Sequence, residues 1–456
     1  MADAVRPGAD KIDEAFVAAF EARAAASALT IGVIGMGYVG LPLAMAFAAK
    51  GFVLHCFDVD AAKIEALAAG RSYMSHIADA RVAALAAAPG FHATADFAGL
   101  DAPDVLVICV PTPISAHREP DLSYVSLAAE AIGARLRRGQ LVVLESTTYP
   151  GTTEDIVRPP LERLSGLIAG RDFALGYSPE REDPGNPKFD TATIPKVVGA
   201  NSDLERRMLE ALYGRITQTV PVRDLKTAEA VKLTENIFRM VNIALVNELK
   251  FIFRGMDIDA WEVIDAAKTK PFGFMPFYPG PGLGGHCIPV DPFYLTWKAR
   301  AFGESTRFID LAGDVLTRLP RYTIDQVSEA LSTRQHKALA GAEVLVLGVA
   351  YKRNVDDLRE SPALLLIELL ERRGAKVRYH DPFVPAIESG HGVTVSAMQS
   401  TPLTAEVLRG VDAVLIATDH DTVDYRLVCE NASLVLDARN ATAALQSEFA
   451  DRIVKV

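Results

Sequence analysis

The sequence predicts an α/β protein in which two doubly wound domains are joined by one long helix. Apolar runs of strand length alternate with helical stretches from residue 30 to about 180, and again from about 342 to 437. Between them, residues 228–252 contain no Gly or Pro, so a single helix can run through without a break. With 456 residues, half of them hydrophobic, the chain suffices for two to three domains with large cores.

Taken in order, residues 10–26 place Ile12, Phe16 and Phe20 at helical spacing, a short amphipathic helix with no assigned chemistry. An apolar strand from Thr30 then runs into Gly35-Met36-Gly37-Tyr38-Val39-Gly40, followed by a helix and a second strand that ends in Asp58. In that strand–turn–helix context the glycines admit a pyrophosphate to a helix N-terminus, and the acid bonds a ribose diol. The first domain is therefore read as Rossmann-like. An acid at 58 favours NAD over NADP, with Lys63 close by. Further strands are expected over 104–110, 141–147 and 173–180, with a loop at Pro111 and Thr112, a polar tip at Thr147 and an acid at Glu180 toward the carboxyl edge where such sheets bind ligands. Arg181 follows Glu180 directly, and residues 184–187 are expected to form a turn. Cys56 and Cys109, mid-strand among apolar residues, are expected in the core.

On the long helix, Lys232 and Asn236 share one face, with Arg239 three residues further on. A lysine and an asparagine on an otherwise apolar helix need a partner or a ligand. Residues 271–292 are expected as loop, because six prolines and glycines crowd in between Tyr278 and His286, just ahead of Cys287. With His286 beside it and Asp291 four residues on, Cys287 is either a nucleophile or a buried structural thiol. A helical region then runs to about Leu331, interrupted at Pro320. Strands over 342–351, 376–382, 412–418 and 434–437 build the second doubly wound domain, whose turn at Gly348 lacks the full glycine fingerprint. That domain is expected to bind something other than a second dinucleotide. Lys352, Arg353 and Arg359 are either phosphate ligands or ordinary surface charge. The boundaries expected are an N-terminal helical extension (1–28), a dinucleotide domain (29–220), a central helical segment with the cysteine loop (221–333) and a second Rossmann-like domain (334–456).

A formal charge of −11 argues against nucleic acid or an anionic membrane as partner. The four cysteines, at 56, 109, 287 and 429, show no metal-site or disulfide spacing and fit a reducing cytoplasm. No metal is expected. No apolar run reaches the length of a membrane span, and the N-terminus is acidic where a signal peptide is basic.

The ordered motifs Gly35-x-Gly37-Tyr-Val-Gly40-Leu-Pro, Val110-Pro-Thr-Pro113, Glu145-Ser-Thr147, Ser178-Pro-Glu180, Lys232-x-x-x-Asn236, Gly282-x-Gly284-Gly-His-Cys287-Ile-Pro-x-Asp291 and Leu358-Arg-Glu-Ser361 together resemble the UDP-glucose/GDP-mannose dehydrogenase family. The resemblance covers nearly all of the chain from residue 30. It implies a four-electron, NAD-dependent oxidation of a UDP-sugar's C6 hydroxyl to a carboxylate. Cys287 would be the covalent nucleophile, and Lys232 and Asn236 would stabilise the alkoxide. Thr147, Glu180 and Asp291 would serve hydrolysis, with the base among the acids left open. It further implies that Gly35 to Gly40, Asp58, Lys63, Pro111, Thr112 and Thr147 hold NAD. Glu180, Arg181, Lys232, Asn236, Tyr278, Gly282, Gly284, Lys352 and Arg359 would hold the UDP-sugar, and the assembly would be a homodimer or higher homo-oligomer through the 228–252 helix.

Residues 178–185 resemble the branch that oxidises UDP-N-acetylhexosamines, UDP-N-acetylglucosamine first among them. Pro184 stands where the UDP-glucose branch usually carries a second Glu. UDP-N-acetylmannosamine and UDP-glucose are the alternatives. A non-catalytic dinucleotide-binding protein would not need Cys287, Lys232, Asn236 and Asp291 together.

Overall fold

The computed structural model describes residues 11–74, 77–115, 119–181, 189, 191–285, 287–388 and 394–456. They form two compact units. One holds the chain up to Glu235 together with Trp297–Gly303, and the other holds Asn236–Thr296 with Glu304–Val456.

The first unit is built on eight strands: β1 (Thr30–Ile34), β2 (Val53–Phe57), β3 (His92–Thr94), β4 (Val105–Ile108), β5 (Leu141–Leu144), β6 (Ala174–Tyr177), β7 (Lys196–Gly199) and β8 (Thr219–Val222). Their order is β3-β2-β1-β4-β5-β6-β7-β8, a doubly wound sheet extended by two strands. Alternate residues feed two cores. Ile31, Val33, Val105, Val107, Leu141 and Val143 pack on one face, and Ile34, Leu106, Ile108, Val142 and Leu144 on the other. Burial on both faces explains why these strands read as unbroken apolar runs. All pairings are parallel except β6 with β7. The sequence reading missed β3, β7 and β8. They are short, and β8 is an edge strand carrying Pro221, whose missing N–H costs no ladder bond there.

The extension forms the helix Glu14–Ala25, capped by Asp13, which accepts from Phe16 N at 3.0 Å. Val17 and Phe20 join the first core, and Glu21 pairs with Arg207 of the helix Asp203–Tyr213 at 2.9 Å.

The second unit carries β9 (Glu343–Leu347), β10 (Lys376–His380), a two-residue ribbon of β11 (Ala386–Ile387) with β12 (Met398–Gln399), β13 (Ala413–Ile416), β14 (Val435–Asp437) and β15 (Ile453–Lys455). The five-stranded sheet is parallel throughout, in the order β10-β9-β13-β14-β15. β15 is short and was not anticipated.

Two expectations about the helical segment need correction. The helix Arg307–Gln335 passes through Pro320 without a break; Leu316, Leu319 and Ile324 around the proline are buried, so packing outweighs the lost backbone bond. The expected 271–292 loop ends earlier than its composition suggested, because a helix spans Cys287–Arg300. Pro289 falls in the first turn, where an N–H has no intrahelical acceptor, so only Pro292 removes a helical bond. The long helix is Leu225–Arg254. Among the described residues no helix is long and apolar enough to cross a membrane.

Candidate active site

The turn after β1 is shaped by contacts only glycine tolerates. Gly35 has φ +92° and lies against the Cys109 backbone, and a Cβ on Gly40 would stand 1.9 Å from Gly35 O. At Gly37 a Cβ would meet nothing within 4 Å, which leaves open space ahead of the helix Gly40–Ala48. Asp58, one residue past β2, accepts from Met36 N at 2.7 Å and Asp60 N at 2.9 Å, with Lys63 Nζ at 3.5 Å. Each oxygen keeps a further lone pair for a diol. The cradle and acid therefore fit a dinucleotide. Thr112 is buried and Thr147 half-buried on the same carboxyl edge, where Ser146 Oγ donates to Val110 O at 2.7 Å and ties the two tips together.

Three described thiols are chemically quiet. Burial pushes Cys56 up to about 12, Cys429 up to about 11 and Cys109 well above the ordinary thiol range. Cys56 and Cys109 are core residues, as their strand positions predicted. The side chain of Cys287 and the whole of His286 lie outside the described residues.

Beyond β5 and β6 sits a buried ionic cluster that sequence reasoning did not assemble. Lys196 Nζ donates to Glu145 Oε2 and to Glu180 Oε2, both at 2.9 Å, and the Tyr213 hydroxyl donates to Glu145. Burial works against the lysine's charge, but Glu145 and Glu180 more than offset it and hold its pKa above the usual range; burial pushes Glu145 up. A lysine opening the apolar run Lys196-Val-Val was the available signal. Arg181 reaches the long helix instead, pairing through two nitrogens with Glu235 at 2.5 and 3.2 Å. Glu229, also on that helix, is fully buried and accepts from Gly151 N, Thr153 N and Thr153 Oγ1 at 2.5, 2.8 and 2.6 Å.

One turn apart on the long helix, Lys232 and Asn236 are both half-buried. Asn236 Nδ2 donates to Oδ2 of buried Asp291 at 2.6 Å. Asp291 follows Cys287 by one turn of the helix Cys287–Arg300.

The glycine loop is packed against the second sheet's turns. A Cβ on Gly282 would stand 2.5 Å from Pro362, one on Gly284 2.8 Å from Tyr351 and from Glu360 O, and one on Gly285 2.9 Å from the Tyr351 ring. Gly285 has φ +81° and donates to Arg359 O at 3.1 Å. Close backbone approach is thus what these glycines provide. The Tyr278 hydroxyl donates to Asp265 at 2.7 Å, Arg359 is gripped by Asp357 through Nε and Nη2, and Arg353 pairs with Asp419. Lys352 is half-buried beside them in the chain. Asp381, the acid that ends β10, is buried, accepts from Val349 N at 2.8 Å and Ala350 N at 3.1 Å, and faces His420 Nε2 at 3.0 Å. Its partners leave it little room for a ribose, in keeping with the expectation that this domain does not take a second dinucleotide. No cluster of metal ligands occurs among the described residues.

A doubly wound domain with a glycine cradle and terminal acid, followed by a helix bearing Lys232 and Asn236, defines an NAD-dependent oxidoreductase. Comparison with known proteins matches the chain to the NAD-binding domain (29–217), central domain (226–316) and UDP-binding domain (345–444) of one family. The chain belongs to the UDP-glucose/GDP-mannose dehydrogenase family, and it is an NAD-dependent UDP-sugar dehydrogenase. It is 38% identical to UDP-N-acetyl-D-glucosamine 6-dehydrogenase of Pseudomonas aeruginosa, over 86% of this chain and 90% of that one. The solved UDP-N-acetylmannosamine dehydrogenase of Pyrococcus horikoshii superposes with a TM-score of 0.81 at 33% identity, over 91% and 96% of the two chains. A UDP-glucose dehydrogenase of Pyrobaculum islandicum superposes with a TM-score of 0.80 at 28% identity, over 91% and 95%.

Proposed function

We propose that the chain oxidises the C6 hydroxyl of UDP-N-acetylglucosamine to the uronate, through a thiohemiacetal and a thioester on Cys287, as a precursor for surface polysaccharide. The observation that carries this reading is the Asn236–Asp291 hydrogen bond, which ties the helix bearing Lys232 to the first turns of the helix that Cys287 opens. The relative from Pseudomonas aeruginosa favours the N-acetylglucosamine substrate, and Pro184 in place of a second acid speaks against UDP-glucose. The Pyrococcus horikoshii structure keeps UDP-N-acetylmannosamine as the second reading.

Bound NAD, held by the Gly35–Gly40 turn with Asp58, Pro111, Thr112 and Thr147, supplies the hydride acceptor at each of two oxidations. As the C6 hydroxyl loses its proton, the Lys232 ammonium and Asn236 amide stabilise the developing alkoxide. The Cys287 thiolate adds to the aldehyde carbon, and the former carbonyl oxygen takes a proton. Loss of the second hydride and of that proton leaves a thioester. Water then adds to its carbonyl carbon, the C–S bond breaks and the thiolate departs, while Thr147, Glu180 and Asp291 orient the water and one of the two carboxylates takes its proton. One alcohol, two NAD and one water give one carboxylate, two NADH and three protons. Tyr278, Gly282, Gly284, Lys352 and Arg359 hold the UDP-sugar, with Arg181 placed by Glu235 beside Glu180.

The same reading gives a cytoplasmic homodimer. Phe238, Leu245 and Ile252 on the long helix are each about half exposed, an apolar stripe suited to a second copy, and the three described thiols are free. Sedimentation should give about twice the 49.1 kDa chain mass, and a monomer at micromolar concentration would remove the dimer.

The substrate is tested by steady-state kinetics with NAD and UDP-N-acetylglucosamine, UDP-N-acetylmannosamine or UDP-glucose. UDP-N-acetylglucosamine should give the highest kcat/KM. A higher value with another sugar replaces the substrate.

A further inference from the structure

We propose that Lys196 is a positioning residue for hydrolysis: its ammonium, clamped between Glu145 and Glu180, fixes the Glu180 carboxylate that helps activate the water. The inference rests on the proposed role of Glu180. Because β7 runs antiparallel to β6, its first residue, Lys196, stands at the edge where β5 and β6 end. Glu145 follows β5 directly, and Glu180 lies three residues beyond β6. The ammonium is 2.9 Å from each carboxylate and 5.3 Å from the centre of the Tyr213 ring. Glu180 is held at its other oxygen too, where Oε1 accepts from Arg181 N at 2.8 Å.

The side chains of Lys196, Glu145 and Glu180 are only 4%, 0% and 8% exposed. Burying such a set is a poor route to stability, since a well-packed apolar set of similar volume is often as good or better. What the set provides is a carboxylate in one fixed orientation. Tyr213 meets the remaining need of Glu145, so Lys196 is shared by two acids rather than spent on one.

Rapid mixing separates oxidation from hydrolysis, because both NADH per site form before the thioester is cleaved. Lys196→Met and Glu180→Gln should each keep that two-NADH burst while the steady rate falls about 100-fold, the scale of a lost general base. A thioester trappable by hydroxylamine should accumulate, and the double variant should be no slower than Glu180→Gln alone. A wild-type steady rate in Lys196→Met, or a loss that multiplies onto that of Glu180→Gln, overturns the positioning role. Wild-type hydrolysis by Glu180→Gln removes instead the reading beneath it, so the two failures are distinct.

Should Lys196→Met not fold, Glu145→Gln carries the test. Glu180 is faced by Lys196 from β7, Glu145 beyond β5, Cys109 beyond β4 and Tyr213 at the end of the helix Asp203–Tyr213. Removing the Glu145 charge leaves the ammonium to Glu180 alone, so the acid limb of the hydrolysis rate should move to lower pH. An unmoved limb overturns the proposal.

Discussion

Asn236 Nδ2 donates to Asp291 Oδ2 at 2.6 Å, joining the long helix to the helix that begins at Cys287. Replacing the amide by a second carboxylate would set two like charges against each other in a partly buried position. Asn236→Asp should therefore lower kcat/KM for the UDP-sugar about 100-fold, the scale of one lost stabilising donor. Activity should recover partly as pH falls, because one acid of such a pair is protonated more readily. The pH profile of NADH formation checks this; a pH-independent loss would contradict it.

Gly285 combines φ +81° with a Cβ position 2.9 Å from the Tyr351 ring. Gly285→Ala should cost about 2–4 kcal/mol of folding stability from backbone strain and overpacking together. KM for the UDP-sugar should rise about tenfold while KM for NAD stays within twofold, since the displaced loop is the one proposed to hold the sugar. Trimming the ring in Gly285→Ala/Tyr351→Ala should restore part of both losses. Denaturant melts and initial-rate kinetics give the comparison.

Much of this architecture was legible in the residues, and the exceptions have physical causes. Strands such as Val105–Ile108 and Leu345's neighbours in β9 were readable because both faces are buried, so the chain is apolar throughout. β3 and β15 span only three residues each, too few for periodicity to show. The helix at Cys287 was hidden by Pro289, which a first turn tolerates, and by Pro292, which costs one helical bond. Lys232 and Asn236 could be paired from their spacing on one helix, whereas Lys196, Glu145 and Glu180 meet only because one strand reverses direction. Local sequence carries no sign of such a reversal. Nor did it show that Arg359 and Arg181 are already bound by Asp357 and Glu235.

Asp58 supports both the glycine turn, through Met36 N, and the expected contact with the ribose diol. Asp58→Asn should raise KM for NAD about tenfold and narrow the preference over NADP, because an anion that repels the 2′-phosphate is lost. Paired assays with NAD and NADP test this, and an unchanged cofactor ratio would speak against the assignment.

Burial pushes Glu229 up to about 7. Between the ordinary carboxylate range and that value, the folded chain keeps a proton that the unfolded chain has released. Stability should accordingly fall as pH rises from about 4.5 to about 7, by up to about 3 kcal/mol from this group. Below that window the contribution is fully present, and above it the contribution is gone. Glu229→Gln should flatten this slope. Urea midpoints at several pH values across the window would show it, and an unaltered slope would assign the proton elsewhere.

The central claim is a four-electron oxidation through Cys287. Its most direct measurement counts NADH formed per UDP-N-acetylglucosamine consumed and identifies the sugar product, for the native chain and for Cys287→Ala. The account predicts two NADH and a carboxylate for the native chain, with Cys287→Ala still binding the UDP-sugar but forming no acid. One NADH with free aldehyde, or undiminished acid from Cys287→Ala, would contradict it.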